Sequence, residues 1–266
     1  VSTLATIAEK VQRLSPWFYE YDLPGGVLTA SSLPESVRPI HGTRRQMLRT
    51  TIMDHFADRI PEVSALDLGC HEGYFSFMLA EMGIPRILGL DIREENLEKA
   101  RFIRDVLDHQ AVEFQPGDCL QLETEIPETF DLVLCVGLLY HQENPILCLR
   151  QAATKTRELL LVETQVIDEI EGETEWGQQN ANRSFHGGFA LIDETAEFGA
   201  GAREAGSAPL ALCPSPRALE HILHAVGFPR VERIAPPPEG YEQHVRGKRV
   251  VYAAYKPIKK GCSEHV

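Results

Sequence analysis

The sequence predicts an α/β domain built on a doubly wound, mostly parallel sheet of seven strands. Short runs that are apolar on both faces, such as Val63–Leu68, Asp131–Val136 and Leu159–Val162, alternate with stretches of helical spacing such as Glu94–Leu107. Strands buried on both sides and separated by helices belong to parallel sheets covered by helical layers. The last two apolar runs, Val231–Ile234 and Arg249–Tyr255, are expected to close the sheet as a C-terminal antiparallel pair.

Taken in order, residues 1–42 read as irregular apart from an amphipathic segment, Leu4–Leu14, because Pro16 and Leu23-Pro24-Gly25-Gly26 favour turns. A helix is expected over 43–59, with Thr43 as its cap and Met47, Leu48, Ile52 and Phe56 on one face. Residues 1–60 would then form a cap over a pocket, and 61–266 the main domain. Within it come a strand at 63–68, a helix at 75–82, strands at 87–91 and 112–114, a strand at 131–136, a helix at 145–153 and a strand at 159–162. Residues 167–210 break this rhythm, with many Glu, Gly and polar residues, and read as a long loop or lid inserted before a helix that starts at Ser215-Pro216 and stops at Gly227.

Composition bounds the function. The chain has 266 residues, 43 % of them hydrophobic, enough for one large core. A formal net charge of −13 disfavours a polyanionic partner, though a local basic face would still suffice for one. No apolar run reaches the length of a transmembrane helix, and Val1–Lys10 lacks the basic head and apolar core of a signal peptide. The six cysteines form no CxxC pair and several sit in apolar runs, which predicts reduced thiols, a cytoplasmic chain and no metal site. Oligomeric state is left open.

The chemistry is carried by strand ends. Leu66-Asp67-Leu68-Gly69-Cys70-His71-Glu72-Gly73-Tyr74-Phe75 lies where the first sheet strand passes into a helix, and its glycines let backbone turn sharply and approach a ligand. Its spacing lacks the G-x-G start of a dinucleotide fingerprint. Asp91 ends the next strand, where a carboxylate can accept hydrogen bonds from both ribose hydroxyls of a nucleoside or cap the helix at Glu94. Gly117-Asp118-Cys119 follows the third strand, and Val136-Gly137-Leu138-Leu139-Tyr140-His141 the fourth.

This D-x-G-x-x-x-G loop resembles that of class I methyltransferases that use S-adenosylmethionine. The resemblance implies that fold and that cofactor. It places donor contacts at Asp67, Gly69, Cys70, His71, Gly73 and Phe75, at Asp91 and Ile92, at Asp118 and Cys119 for the adenine, and at Val136 and Tyr140. Gly137–Pro145, Glu163-Thr164, Pro214-Ser215, Gly227-Phe228 and Lys248–Val251 resemble one group in particular, the bacterial tRNA wobble-uridine carboxymethyltransferases and their relatives. Those enzymes use carboxy-S-adenosylmethionine and hold its extra carboxylate with cationic and aromatic side chains; the resemblance puts Tyr140 and Arg249 at two of those positions. After Trp17, however, no Lys or Arg follows until Arg38, and the helix at 43–59 lacks the family's tryptophan. A carboxylate buried without a partner is costly, so ordinary S-adenosylmethionine is the expected donor and the carboxylated form the alternative.

An oxygen or nitrogen acceptor of high pKa also needs a base. His141 is the first candidate, with Tyr140 beside it, because imidazole titrates near neutrality; a purely backbone-bonding role for His141 is the alternative. His41 and His186 are more distant candidates, and Glu163 is either a base or, the favoured reading, simply a strand-end acid. Trp17 and Tyr19 are candidates for an aromatic wall over the pocket, with core packing the favoured reading for Trp17. The insertion offers Trp176, Gln178, Gln179, Asn180, Asn182, Arg183 and His186 to a polar substrate, followed by a Gly187-Gly188 hinge. The expected activity is methyl transfer to O or N of a polar small molecule, with secondary metabolism as a candidate setting. A tRNA wobble-uridine enzyme and a non-catalytic S-adenosylmethionine-binding domain are the alternatives.

Overall fold

The computed structural model describes residues 4–175, 182–199 and 208–257. The chain opens with helix α1 (Leu4–Arg13), a small hairpin of β1 (Asp22–Leu23) and β2 (Val27–Leu28), and helix α2 (Pro39–Phe56). The alternating part follows: β3 (Ser64–Leu68), α3 (Tyr74–Glu81), β4 (Arg86–Asp91), α4 (Glu94–Leu107), β5 (Val112–Pro116), the short α5 (Leu122–Glu125), β6 (Phe130–Val136), α6 (Pro145–Lys155) and β7 (Thr156–Gln165). Next come β8 (Glu171–Glu175), β9 (Asn182–His186), β10 (Phe189–Asp193), α7 (Thr195–Gly199) and β11 (Leu210–Pro214). The chain then forms α8 (Pro216–Ala225), β12 (Arg230–Ile234), α9 (Glu242–Val245) and β13 (Arg249–Tyr255).

Seven strands form the central sheet in the order β12-β13-β7-β6-β3-β4-β5. The pairs from β7 to β5 are parallel, while β13 runs antiparallel to both β7 and β12, which is the expected C-terminal antiparallel pair. Every residue of β3 and of β13 is buried, as a sheet covered on both faces requires. Successive side chains of β3 enter opposite layers. Ala65 joins Met47, Ile52 and Phe56 of α2 and Phe77 of α3; Leu66 and Leu68 join Leu149 of α6 and Leu219 and Leu223 of α8. Two starts are set by local chemistry. Asn144 accepts from the Leu147 amide ahead of α6 and Ser215 from the Ala218 amide ahead of α8, each with a proline next in line.

Two expectations change. Helix α2 begins at Pro39, a natural first helical residue, four residues before Thr43. Thr43 is instead buried inside the helix, where its Oγ1 accepts from the Tyr241 amide at 2.7 Å; a capping side chain serves a tertiary bond. The stretch 167–210 is no plain loop over its described residues. β8 pairs with β9, and β10 with β11, both antiparallel. All five residues of β8 are exposed, so no apolar alternation marks it in the sequence. Among the described residues no helix is long and apolar enough to cross a membrane. Five cysteines stand free, and Cys262 lies outside the described residues.

Candidate active site

A cleft opens at the carboxyl ends of β3, β4, β5 and β6, where strand order reverses between β3 and β6, the usual ligand position in an open α/β sheet. Leu68 and Gly69, Asp91 to Arg93, Gly117 to Cys119 and Val136 to Leu138 form its strand-end walls. Phe18 and Tyr19 from the N-terminal segment and Arg44 from α2 close another side. The empty space within it is about 910 Å³, open solvent at the mouth included.

The glycine loop is tied to the next strand. The Cys70 amide donates to Leu90 O at 2.8 Å and the His71 amide to Asp91 Oδ2 at 2.9 Å. Gly69 has φ +66°, and a Cβ there would lie 3.0 Å from Leu138 Cδ1, so a side chain would be strained and crowded at once. Asp91 Oδ1 accepts from the Arg93 amide and Asn96 Nδ2, so Asp91 also fixes the start of α4. Burial pushes its carboxyl above the usual range, against the lowering effect of those bonds. A carboxylate has about four lone-pair sites, so further donors from the cleft can still be accepted. Asp118 Oδ1 accepts from the Leu120 amide at 2.9 Å, shaping the turn that carries it.

At the other end lies a buried cluster of charges. Glu163, fully enclosed at the end of β7, meets Arg44 Nη2 at 2.8 Å, Arg249 Nε at 2.9 Å and His244 Nε2 at 3.0 Å. Burial pushes the Glu163 carboxyl up, but Arg249, Arg44 and His244 together hold it well below the usual range. Two guanidinium groups thus share one carboxylate. Arg249 also donates from Nη2 to Tyr140 Oη at 2.9 Å and lies 4.7 Å from the centre of the Tyr140 ring. Next to Tyr140, His141 Nδ1 lies 2.6 Å from Glu194 Oε1. Burial lowers the His141 pKa below its ordinary 6.5, and Glu194 partly offsets this.

With this geometry in place, known proteins give the context. Residues 61–191 match a family model described as a methyltransferase domain. The chain is 28% identical over 105 residues to a tRNA U34 carboxymethyltransferase of Helicobacter pylori, covering 38% of this chain and 40% of that protein. It is 28% identical over 122 residues to one of Trichodesmium erythraeum, covering 43% and 36%. The chain therefore spans about two fifths of the length of the curated relatives it matches. The N-terminal domain of EvdMO1, solved with S-adenosylhomocysteine (SAH) and D-fucose, superposes with a TM-score of 0.71 at 22% identity, covering 97% of this chain and 98% of that one. Magnesium protoporphyrin IX methyltransferase from Synechocystis PCC 6803 with bound SAH gives a TM-score of 0.56 at 16% identity, covering 86% and 90%. Over residues 61–191 the chain carries a methyltransferase domain, on the fold of the class I S-adenosylmethionine-dependent enzymes.

The methyltransferase cleft fits that cofactor on its own residues. Gly69 and Gly137 line it with positive φ and no Cβ, and a Cβ on Gly137 would fall 3.1 Å from Arg44 Nη2. Asp91 stands at a strand end with accepting capacity left, and apolar Leu68, Leu90 and Val136 lie between the polar ends.

The sequence-predicted site residues divide in two. Tyr19, Gly69, His71, Asp91, Ile92, Asp118, Cys119, Val136, Tyr140 and His141 line the methyltransferase cleft. Asp67, Cys70, Gly73, Phe75, Trp17, His41, Arg183, His186 and Arg249 do not. Asp67 is buried behind the loop, accepts from Ser76 Oγ at 2.6 Å, and is pushed up to about 7 by burial. Trp17 is core, its Nε1 donating to Val11 O. His41 packs among the rings of Phe18, Tyr19 and Tyr74, and burial lowers its pKa to about 3. Arg183 lies on the exposed β9, paired in register with Thr174. His186 stacks on His221 at 4.8 Å in a separate groove with Arg217, Glu220 and His224. Arg249 reaches the cleft through Tyr140. Trp176, Gln178, Gln179 and Asn180, expected on the lid, lie outside the described residues.

Sequence reasoning missed Arg44, Phe18, Glu194 and His244. Arg44 carried a signal. Counted from the true start of α2, it shares a helix face with buried Ile40, Met47 and Leu48, an unusual place for an arginine without an acidic partner.

Proposed function

We propose that this domain transfers a methyl group to an oxygen or nitrogen of a polar small molecule of the kind decorated in secondary metabolism, and that a sugar hydroxyl is the acceptor. The observation that carries the reading is that one cavity is lined by Asp91 at one side and by Tyr140 and His141 at the other. S-adenosylmethionine supplies an electrophilic methyl on a sulfonium. Asp91 would accept from the ribose hydroxyls, the Gly69–His71 backbone would lie against the donor, and Asp118 and Cys119 would meet the adenine. His141, held neutral near pH 7 by burial, would take the acceptor proton at Nε2. Tyr140, fixed by Arg249, would orient the acceptor; alignment accounts for much of the catalysis of such a displacement. The near-complete overlap with the EvdMO1 domain solved with D-fucose supports a sugar, as does the acidic chain, which disfavours a polyanion.

The test is SAH formation from S-adenosylmethionine with D-fucose and a panel of related deoxysugars, followed by mass spectrometry. Turnover that drops about 100-fold or more in His141→Ala, with SAH affinity retained, supports the reading. Unchanged turnover in that variant removes His141 as the base.

A second reading, carboxymethyl transfer to a tRNA wobble uridine from carboxy-S-adenosylmethionine, is favoured by one observation: Arg44 and Arg249 share a single carboxylate beside Tyr140. That excess positive charge would suit a donor carboxylate. Calorimetry with both donors separates the readings. A preference for the carboxylated donor that disappears in Arg44→Gln supports the second; equal or weaker binding supports the first.

A further inference from the structure

We propose that Glu194, carried on the β10–β11 arm, is the positioning residue of a His141–Glu194 dyad that holds the imidazole as its Nδ1–H tautomer and leaves Nε2 to receive the acceptor proton. The role of His141 as base rests on the function proposed above; the dyad itself does not.

Contact and anchoring both support this. Glu194 Oε1 lies 2.6 Å from His141 Nδ1, and both side chains are largely shielded, at 11 % and 20 % exposure. A short bond to a carboxylate fixes which ring nitrogen carries the proton, and the remaining ring nitrogen becomes the basic one. The arm is bound to the loop that carries the histidine. The Leu212 amide donates to Gln142 O at 2.9 Å, one residue from His141, and the Glu194 amide donates to Pro209 O at 2.8 Å at the far end of the β10–β11 pair. At the arm's root the Ser215 amide donates to Gly188 O at 2.8 Å and Ser215 Oγ accepts from the Gly188 amide at 3.2 Å. The arm thus presents a carboxylate at a fixed place relative to the β6–α6 loop.

The surrounding charges give the contact a purpose. Glu194 from the arm, Arg249 from β13 and Arg93 from the β4–α4 turn act on His141, and the Tyr140 ring lies 4.1 Å away. Of these charged groups Glu194 is the anion. When the acceptor hydroxyl loses its proton to Nε2 and gains the methyl, the positive charge of the sulfonium reappears on the imidazolium. It then feels the positive charges of two arginines in a desolvated place, and the Glu194 carboxylate at Nδ1–H is what stabilises it. An orienting acid on a third element is a general means of activating a base.

The experiment uses the full chain with Glu194→Gln and Glu194→Asp. Histidine nitrogen–proton correlation spectra across a pH series, with the His141 signals assigned by their loss in His141→Asn, report tautomer and pKa without any acceptor. The expected result is a protonated Nδ1 in the parent chain, a lower His141 pKa in Glu194→Gln and an intermediate one in Glu194→Asp. With D-fucose as acceptor, kcat falls about 10- to 100-fold in Glu194→Gln. The acid limb of kcat/KM also moves to lower pH, because the neutral imidazole is the active form and loses the group that raises its pKa. SAH affinity, read by calorimetry, stays within about twofold. An unchanged His141 pKa and tautomer in Glu194→Gln overturns the dyad. Loss of SAH binding in the parent chain would overturn the methyltransferase reading instead, while the spectra still decide the dyad.

Discussion

Lys99 Nζ lies 2.6 Å from Glu72 Oε1 with both side chains closed to solvent. Glu72 belongs to the glycine loop, and the same carboxylate accepts from the amides of Phe18 and Tyr19 at 2.9–3.0 Å. Removing one partner of a buried pair leaves an uncompensated charge, a loss of about 3–5 kcal/mol. Lys99→Met alone is therefore expected to lower the denaturation midpoint more than the double variant Lys99→Met with Glu72→Gln, which leaves no charge behind. Urea titration of the two checks this, and equal losses would contradict it.

Asp67 gives a pH dependence of definite sign. Burial raises its pKa from 3.8 to about 7 in the folded chain, so between about pH 4 and 7 the folded state holds the extra proton. Its contribution to stability is then present at low pH and declines as pH rises through that window, by at most about 1.4 kcal/mol per unit. Asp67→Asn keeps an acceptor for Ser76 Oγ and should flatten this decline relative to the parent. The measurement is unfolding free energy from urea curves at intervals from pH 4 to 8.

Asp91→Ala should weaken SAH by about 10- to 100-fold, the value of one or two hydrogen bonds to a charged group. It also removes acceptors from the His71 and Arg93 amides, so a modest fall in thermal midpoint is expected as well. Calorimetric titration with SAH is the readout; affinity within twofold of the parent would place the ribose elsewhere.

Gly69→Ala puts a Cβ at φ +66° and 3.0 Å from Leu138. The left-handed conformation alone costs about 1–2 kcal/mol. A lower thermal midpoint together with weaker SAH binding is expected, whereas Gly26→Ala, at φ +73° but with nothing within 4 Å, should lower the midpoint without touching affinity.

What the sequence revealed follows physical locality. The seven strands, the glycine loop, Asp91 and Asp118 were legible because each depends on spacing within about ten residues: an apolar run, a turn, an acid at its end. The Arg44–Glu163–Arg249 cluster was not, because it joins α2, β7 and β13, segments that meet only in the folded chain. The hairpin β8–β9 was missed because its first strand, Glu-Gly-Glu-Thr-Glu, is exposed throughout and has no buried face to impose alternation. Glu194 sits in the same poorly patterned stretch, and nothing local distinguishes it from neighbouring acids. His186 carried a signal that misled: a histidine ahead of paired glycines suggested a site, yet it stacks on His221 in a different groove.

The bonds from Glu72 to Phe18 and Tyr19 make the two rims of the cleft mechanically unequal. Lifting the aromatic rim means stripping amide donors from a carboxylate that water does not reach, while Lys99 remains bound to it. The opposite rim is held differently, by the Leu212–Gln142 backbone bond and by the contact between His141 and Glu194, whose side chains keep partial contact with solvent. Opening the cleft on the arm side would therefore strip a backbone bond and a carboxylate–imidazole contact that water can partly replace, and the two residues proposed to handle the proton stand at that rim.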